Sequence, residues 1–169
     1  MQAIAVVGTK KSGKTTTIEN LTRELAKRGY KVAAIKHIPE PDFTIDTPGK
    51  DTWRYQQAGA KTIIAVSPNE TATIEKTSTS LQAVLKKCEG NDISLIEGLK
   101  KTVAQDPNIP KIAVTTSQEQ AEAALEAYKP IIAFSGPHNP KNTRIPYADA
   151  TKNPEKLADL IEKTLKANR

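Results

Sequence analysis

Chemistry that depends on soft ligands is nearly excluded at the outset. The 169-residue chain holds one cysteine and two histidines, too few for a zinc site or an internal disulfide. Aromatic residues make up only 4% and do not gather into the stacking platforms that single-stranded nucleic acid uses. No apolar run approaches the roughly 18 residues of a membrane helix. The first residues, Met1-Gln2-Ala3-Ile4, enter a strand-like run with no basic segment and long apolar core before it, unlike a signal peptide. The expected compartment is the cytoplasm.

Charge is present in both signs, 25 Lys and Arg against 19 Asp and Glu, for a net +6. The basic residues are spread out, with local groups at Lys10, Lys11 and Lys14, at Lys27, Arg28 and Lys31, and at Lys86 and Lys87. Several fall where helices end and complement the helix dipole. Without grouped aromatics, this distribution argues against nucleic acid as the main partner and fits a nucleotide or an acidic protein.

Apolar runs and helical stripes alternate along the chain. Strands are expected at Ala3–Val7, Val32–Ile35, Thr62–Val66, Thr71–Glu75, Ile93–Ile96, Lys111–Thr115 and Ile131–Phe134. Helices are expected from Gly13 to Arg28, from Asp51 to Gln57, from Ser80 to Lys87, after the capping pattern Ser117-Gln118-Glu119-Gln120, and after Asn153-Pro154. Leu81, Val84, Leu85 and Cys88 form one helical stripe, which reads Cys88 as core. Ser135–Pro146 reads as a long loop. Most strands are continuously apolar. That pattern predicts an α/β fold, a mostly parallel central sheet with helices on both faces, in one domain spanning 1–169.

Gly8-Thr9-Lys10-Lys11-Ser12-Gly13-Lys14-Thr15 matches G-x-x-x-x-G-K-[ST] without a gap, between a buried strand and an amphipathic helix. This is the context of a P-loop NTPase-like phosphate site. Glycines let the loop curl so that its N–H groups face phosphate oxygens. The helix start adds its positive end. Lys14 supplies a point charge for β- and γ-phosphates, and Thr15 a hydroxyl for Mg²⁺. The candidate nucleotide-binding residues are Gly8, Thr9, Lys10, Lys11, Ser12, Gly13, Lys14, Thr15 and Thr16. Lys10 and Lys11 admit three readings: phosphate contact, reach across a dimer interface, or solvation.

A triphosphate site also calls for a metal carboxylate beyond the loop. Glu97 ends the strand-like run Ile93-Ser94-Leu95-Ile96 and is followed by Gly98. It stands at the strand edge where ligands bind in open parallel sheets. Asp46, in Asp46-Thr47-Pro48-Gly49, fits the Asp-x-x-Gly pattern of GTPases. The plainer alternatives are a surface strand end for Glu97 and a helix cap for Asp46. The metal candidates are thus Thr15, Asp46 and Glu97.

Beyond the loop, Thr15-Thr16-Thr17, Ile35-Lys36-His37 and Asp42-Phe43 through Asp46-Thr47-Pro48-Gly49-Lys50-Asp51-Thr52 to Arg54 follow in order. Ala58-Gly59-Ala60 and Leu95-Ile96-Glu97-Gly98-Leu99-Lys100 complete the series. Across roughly residues 3–100 this order resembles the MobB family of molybdopterin-guanine dinucleotide biosynthesis adaptor proteins. The resemblance implies a GTP-binding, Mg²⁺-dependent homodimer in molybdenum cofactor biosynthesis. Such a protein assists a MobA-like molybdopterin guanylyltransferase in attaching GMP to molybdopterin, with molybdopterin itself a further candidate ligand. It also implies the metal roles of Glu97 and Asp46. The chain departs from the pattern in two places. Ile38-Pro39-Glu40-Pro41 replaces the histidine cluster of many relatives, and Thr9 stands where related ATPases carry a signature lysine.

Guanine preference rests on the resemblance, because Ser135-Gly136-Pro137-His138-Asn139-Pro140-Lys141-Asn142 has no aspartate in the Asn-Lys-x-Asp register. Asn139 and Asn142 are either base contacts or ordinary loop residues. Lys50 stands where Ras-like proteins place a water-orienting glutamine, and a charged lysine accepts no proton, so intrinsic hydrolysis is expected to be slow. His37 is read as a phosphate contact, a partner contact or a strand cap. The competing readings are a small P-loop kinase, disfavoured by the absence of clustered arginines, and a metallochaperone GTPase, disfavoured by the few soft ligands.

Overall fold

Ala3–Val7 carries no polar side chain, so both of its faces can be buried. It forms the body of β1 (Gln2–Gly8). Twelve further elements follow in the computed structural model, which describes residues 1–167: α1 (Lys14–Lys27), β2 (Val32–Lys36), α2 (Asp51–Gln57), β3 (Thr62–Val66), β4 (Thr71–Glu75), α3 (Leu81–Lys87), β5 (Ile93–Glu97), α4 (Lys100–Val103), β6 (Lys111–Val114), α5 (Gln118–Ala127), β7 (Ile131–Ser135) and α6 (Pro154–Ala167). Two compact units are present. The larger joins Met1–His37 to the residues from Val84 onward, and the smaller is Ile38–Ala83.

The larger unit holds a five-stranded, all-parallel sheet in the order β2-β5-β1-β6-β7. Strand alternation divides its buried residues between two faces. Ile4, Val6, Ile93, Leu95, Ile112 and Val114 join Ile18, Leu21 and Leu25 of α1 and Leu157, Ala158 and Ile161 of α6 in one core cluster. The opposite face, with Ala3, Ala5, Val7, Ile96 and Ala113, is buried as well. Val103 of α4 and Ala121 and Ala124 of α5 are buried outside the first cluster. Helices therefore cover both faces of this α/β, P-loop NTPase-like fold.

Arg28, just past α1, ties α1 to α6. Its guanidinium lies 2.8 Å from Glu24, 2.7 Å from Asp159 and 3.2 Å from Glu162, and donates to the Glu155 carbonyl at 3.0 Å. The hydrogen bond to Asp159, then that to Glu24, raises its pKa. Half-exposed pairs of this kind contribute up to about 1 kcal/mol each. Each buried Leu or Ile beneath them contributes roughly 1.5–3 kcal/mol, so packing dominates the helix interface.

Lys111 is fully buried on β6. Its ammonium donates to the carbonyls of Asp106 at 2.7 Å and Lys129 at 2.5 Å, and burial lowers its pKa. It sits at the start of β6, away from the strand ends where the phosphate loop lies.

The smaller unit holds α2 and the antiparallel pair β3–β4, registered from Thr62↔Glu75 to Val66↔Thr71. Ser67 closes the turn: its N–H donates to the Glu70 carbonyl at 2.8 Å and its hydroxyl accepts from Glu70 N–H at 3.0 Å. Ile63 faces inward, while Ile64 and Val66 on the other side of the strand are exposed, as are Phe43, Ile45 and Tyr55. These two strands form a two-stranded sheet of their own.

One expectation is corrected, one is refined, and one element is new. The α3 stripe is only partly inside, with Leu81 buried and Val84, Leu85 and Cys88 half-buried. The capping pattern at α5 is half reciprocal. Ser117 accepts from Gln120 N–H, but the Gln120 amide oxygen accepts from Thr116 N–H at 3.1 Å rather than from Ser117. The four-residue α4 was not anticipated. No helix among the described residues is long and apolar enough to cross a membrane.

Candidate functional site

In a parallel sheet all strands end at one edge, and β1, β2 and β5 bring the candidate groups of the larger unit together there. β1 ends at Gly8, and the loop Thr9–Gly13 turns back into α1. The turn requires Gly8 at φ +153°, because a Cβ there would overlap the Val114 carbonyl oxygen of the neighbouring strand. Lys11 at φ 62° and Gly13 at φ 101° complete the curl. Ser12 N–H donates to the Thr9 carbonyl at 3.4 Å.

Lys14 is half-buried, and its ammonium donates to the Thr9 carbonyl at 2.6 Å. Burial depresses its pKa, Lys100 and Lys36 push in the same direction, and Glu97 opposes them. Thr15 is the next residue of the helix, and its hydroxyl meets the Glu97 carboxylate at 3.0 and 3.2 Å. Thr16 and the side chains of Lys10 and Lys11 are exposed at the loop. Ser12 is only 3% exposed and its hydroxyl has no hydrogen-bond partner, an uncompensated polar group of the kind that a bound anion satisfies.

Glu97 reaches Thr15 because β5 lies beside β1, with Val6 paired to Glu97. On its other side lies β2, where Lys36 pairs with Glu97 in the ladder and its ammonium stands 3.4 Å from the carboxylate. His37 N–H donates to the Glu97 carbonyl at 2.8 Å. Gly98 makes room for that crossing, since a Cβ at this residue, at φ +94°, would lie 2.8 Å from the His37 Cβ.

Asp46 belongs to the smaller unit. One carboxylate oxygen accepts from Thr52 Oγ1 at 2.8 Å and from Thr47 N–H at 2.8 Å, so it binds the turn to the start of α2. Its second oxygen is buried without a partner. The loop after β7 is anchored to α5: Gln118 Oε1 accepts from Lys141 N–H at 2.9 Å and lies 3.3 Å from His138 Nε2. Tyr147 Oη donates to the Gly136 carbonyl at 2.7 Å.

Two lysines were missed as site residues, Lys36 and Lys100. Both stand in the motif blocks that carry the resemblance, yet neither announces a role by spacing. Lys36 acquires one through strand register, and Lys100 through its charge beside Lys14. A hydroxyl, one carboxylate and several ammonium groups form a donor set suited to a nucleotide polyphosphate with Mg²⁺. That ion usually takes one or two carboxylates plus phosphate and water oxygens. Phosphate oxygens would supply charge for the lysines and acceptors for the Ser12 hydroxyl.

Comparison with known proteins identifies the family. The family model "MobB: Molybdopterin guanine dinucleotide synthesis protein B" matches residues 3–136. A molybdopterin-guanine dinucleotide biosynthesis adapter protein of Haemophilus influenzae is 31% identical over 166 residues, 96% of this chain and 88% of that protein. A relative from Methanocaldococcus jannaschii is 35% identical over 124 residues, which are 72% of this chain but only 50% of the archaeal protein. The crystal structure of Bacillus subtilis MobB superposes with a TM-score of 0.77 at 25% identity, covering 96% of this chain and 97% of that one. With a family model matched over most of its length, the chain belongs to the MobB family.

Proposed function

We propose that this protein is an adapter in molybdopterin-guanine dinucleotide biosynthesis that binds GTP with Mg²⁺ at the loop Gly8–Thr15 and serves a molybdopterin guanylyltransferase. The observation that carries the nucleotide site is the approach of Thr15 and Glu97, 3.0 Å apart, beside Lys14. The adapter role follows the family and the name of the H. influenzae relative.

In this reading the Gly8–Gly13 backbone and Lys14 hold the polyphosphate, while Thr15 and Glu97 hold the ion. Asp46 is a separate candidate within the smaller unit, where its unpartnered oxygen is a donor open to a cation. Mg²⁺ offsets negative charge on the phosphates when bound. Hydrolysis by the isolated protein is slow, and a partner raises it. Molybdopterin, bound on the enzyme or on the adapter, receives GMP. A homodimer accords with the exposed apolar residues of the smaller unit, Phe43, Ile45, Ile64 and Val66. A kinase reading loses support from the arginines: Arg28 is committed to α6, and Arg54 lies 3.6 Å from Asp51.

Pull-down with a purified molybdopterin guanylyltransferase tests the adapter role. Capture that strengthens on adding Mg²⁺ and GTP is expected, and no capture under either condition would remove it. The metal role has its own test. Glu97→Gln keeps the shape of the side chain but removes its charge. Nucleotide titrations should show some binding retained and the Mg²⁺ dependence lost. Unchanged Mg²⁺ dependence would move the metal role to Asp46.

A further inference from the structure

Glu97 is only 15% exposed at its side chain, yet among the described residues just one ammonium stands within ion-pair distance of it, that of Lys36 at 3.4 Å. We infer that Lys36 is a built-in counter-cation, occupying the carboxylate that the divalent ion needs and yielding it when the ion binds. The inference rests on the nucleotide reading above and adds a residue to it.

Three features set Lys36 apart from the other lysines nearby. Its partner is fixed by the backbone, because Lys36 and Glu97 are paired in the parallel β2–β5 ladder and their side chains leave the same face. The contact is loose. At 3.4 Å it is well beyond the roughly 2.7–2.9 Å of a strong charge-assisted bond. And Lys36 is free to leave, since β2 is the outer strand of the sheet and the Lys36 side chain is 58% exposed. Glu97, in contrast, is held from the other side by the Thr15 hydroxyl.

This arrangement has an electrostatic purpose. A carboxylate largely removed from water is costly without a cation beside it. An ammonium on a flexible stem supplies that cation at low cost in geometry. A doubly charged ion held also by phosphate oxygens outcompetes it. Lys14 does not serve instead: its ammonium is bonded to the Thr9 carbonyl at 2.6 Å and, among the described residues, makes no ion pair with Glu97. The consequence is a metal requirement set too high by the lysine's competition.

The test measures the affinity of a fluorescent, non-hydrolysable GTP analogue at graded free Mg²⁺, giving the Mg²⁺ concentration at half effect. In Lys36→Met this midpoint should fall about two- to fivefold, the range that an ion pair with one exposed partner supports. Lys36→Arg, which keeps the charge, should stay at or above the wild-type midpoint. Lys101→Met removes a neighbouring charge on α4 with no bond to Glu97 and should leave the midpoint in place. An unmoved or raised midpoint in Lys36→Met, or an equal fall in Lys101→Met, overturns the counter-cation role while the nucleotide site stands. If the wild-type protein binds no analogue at any Mg²⁺ concentration, the nucleotide reading fails, and the inference with it.

Discussion

Lys14→Ala is expected to lower the affinity for Mg²⁺–GTP by about 100-fold or more, the scale seen when a charged partner is removed from a desolvated ionic contact. The reason lies in the surroundings of this ammonium. It is half-buried, its pKa is depressed chiefly by that burial and then by Lys100, and among the described residues its hydrogen-bond acceptor is a neutral carbonyl, that of Thr9. Such a cation gains strongly from an arriving anion, because the burial has already been imposed. The exposed Lys10 and Lys11 gain less. The same substitution should hardly affect folding, since Lys14 contributes only the Thr9 contact, and Tm is expected within about 3 °C of wild type. Calorimetric titration together with a thermal melt separates the two effects. Wild-type affinity in a folded Lys14→Ala protein would remove the phosphate role of this loop.

Gly8→Ala is the second large effect, and it acts on both folding and binding. The added methyl group would overlap the Val114 carbonyl and lie 2.7 Å from Ser12 Oγ. The first of these is backbone in the β1–β6 ladder, where Gly8 pairs with Val114, so it cannot swing away. The φ of +153° adds strain for any L side chain. Overpacking and strain together should cost about 2–4 kcal/mol. For a domain of this length that corresponds to a Tm lower by about 5–15 °C. Whatever folds should bind nucleotide poorly, because the displaced Ser12 hydroxyl and loop amides form the proposed phosphate cradle. A melting curve superimposable on wild type would show that the turn tolerates a side chain and that its tight geometry is not what the glycine serves.

Much of this architecture could be read from residue pattern, for identifiable reasons. β1, the loop and α1 are marked three times over, by an unbroken apolar run, by the glycine and lysine spacing, and by Ile18, Leu21 and Leu25 at helical intervals, all of which are buried. α2, β3 and β4 span the expected Asp51–Gln57, Thr62–Val66 and Thr71–Glu75. The small helix α4 escaped because four residues, two of them lysine, carry no period, and its cap Leu99 takes a left-handed conformation that leucine does not announce. That β3 and β4 pair only with each other was also hidden, since strand partners depend on chain topology. The pairing of Lys36 with Glu97 is the same kind of information: it exists only once β2 and β5 are neighbours in register. Asp46 shows a different limit. Its spacing fits both a metal ligand and a turn cap, and in the fold one oxygen caps the turn while the other is left without a partner.

The central claim concerns where a triphosphate and its ion come to rest. A crystal structure of the protein with Mn²⁺ and a non-hydrolysable GTP analogue tests it most directly, because the anomalous signal locates the ion independently of the nucleotide. The phosphates are expected inside the Gly8–Thr15 loop with Lys14 turned from the Thr9 carbonyl toward them, and the Mn²⁺ peak in contact with Thr15 Oγ1 and close to Glu97. Phosphates bound elsewhere, or an ion peak remote from both residues while the loop keeps its present bonds, would contradict it.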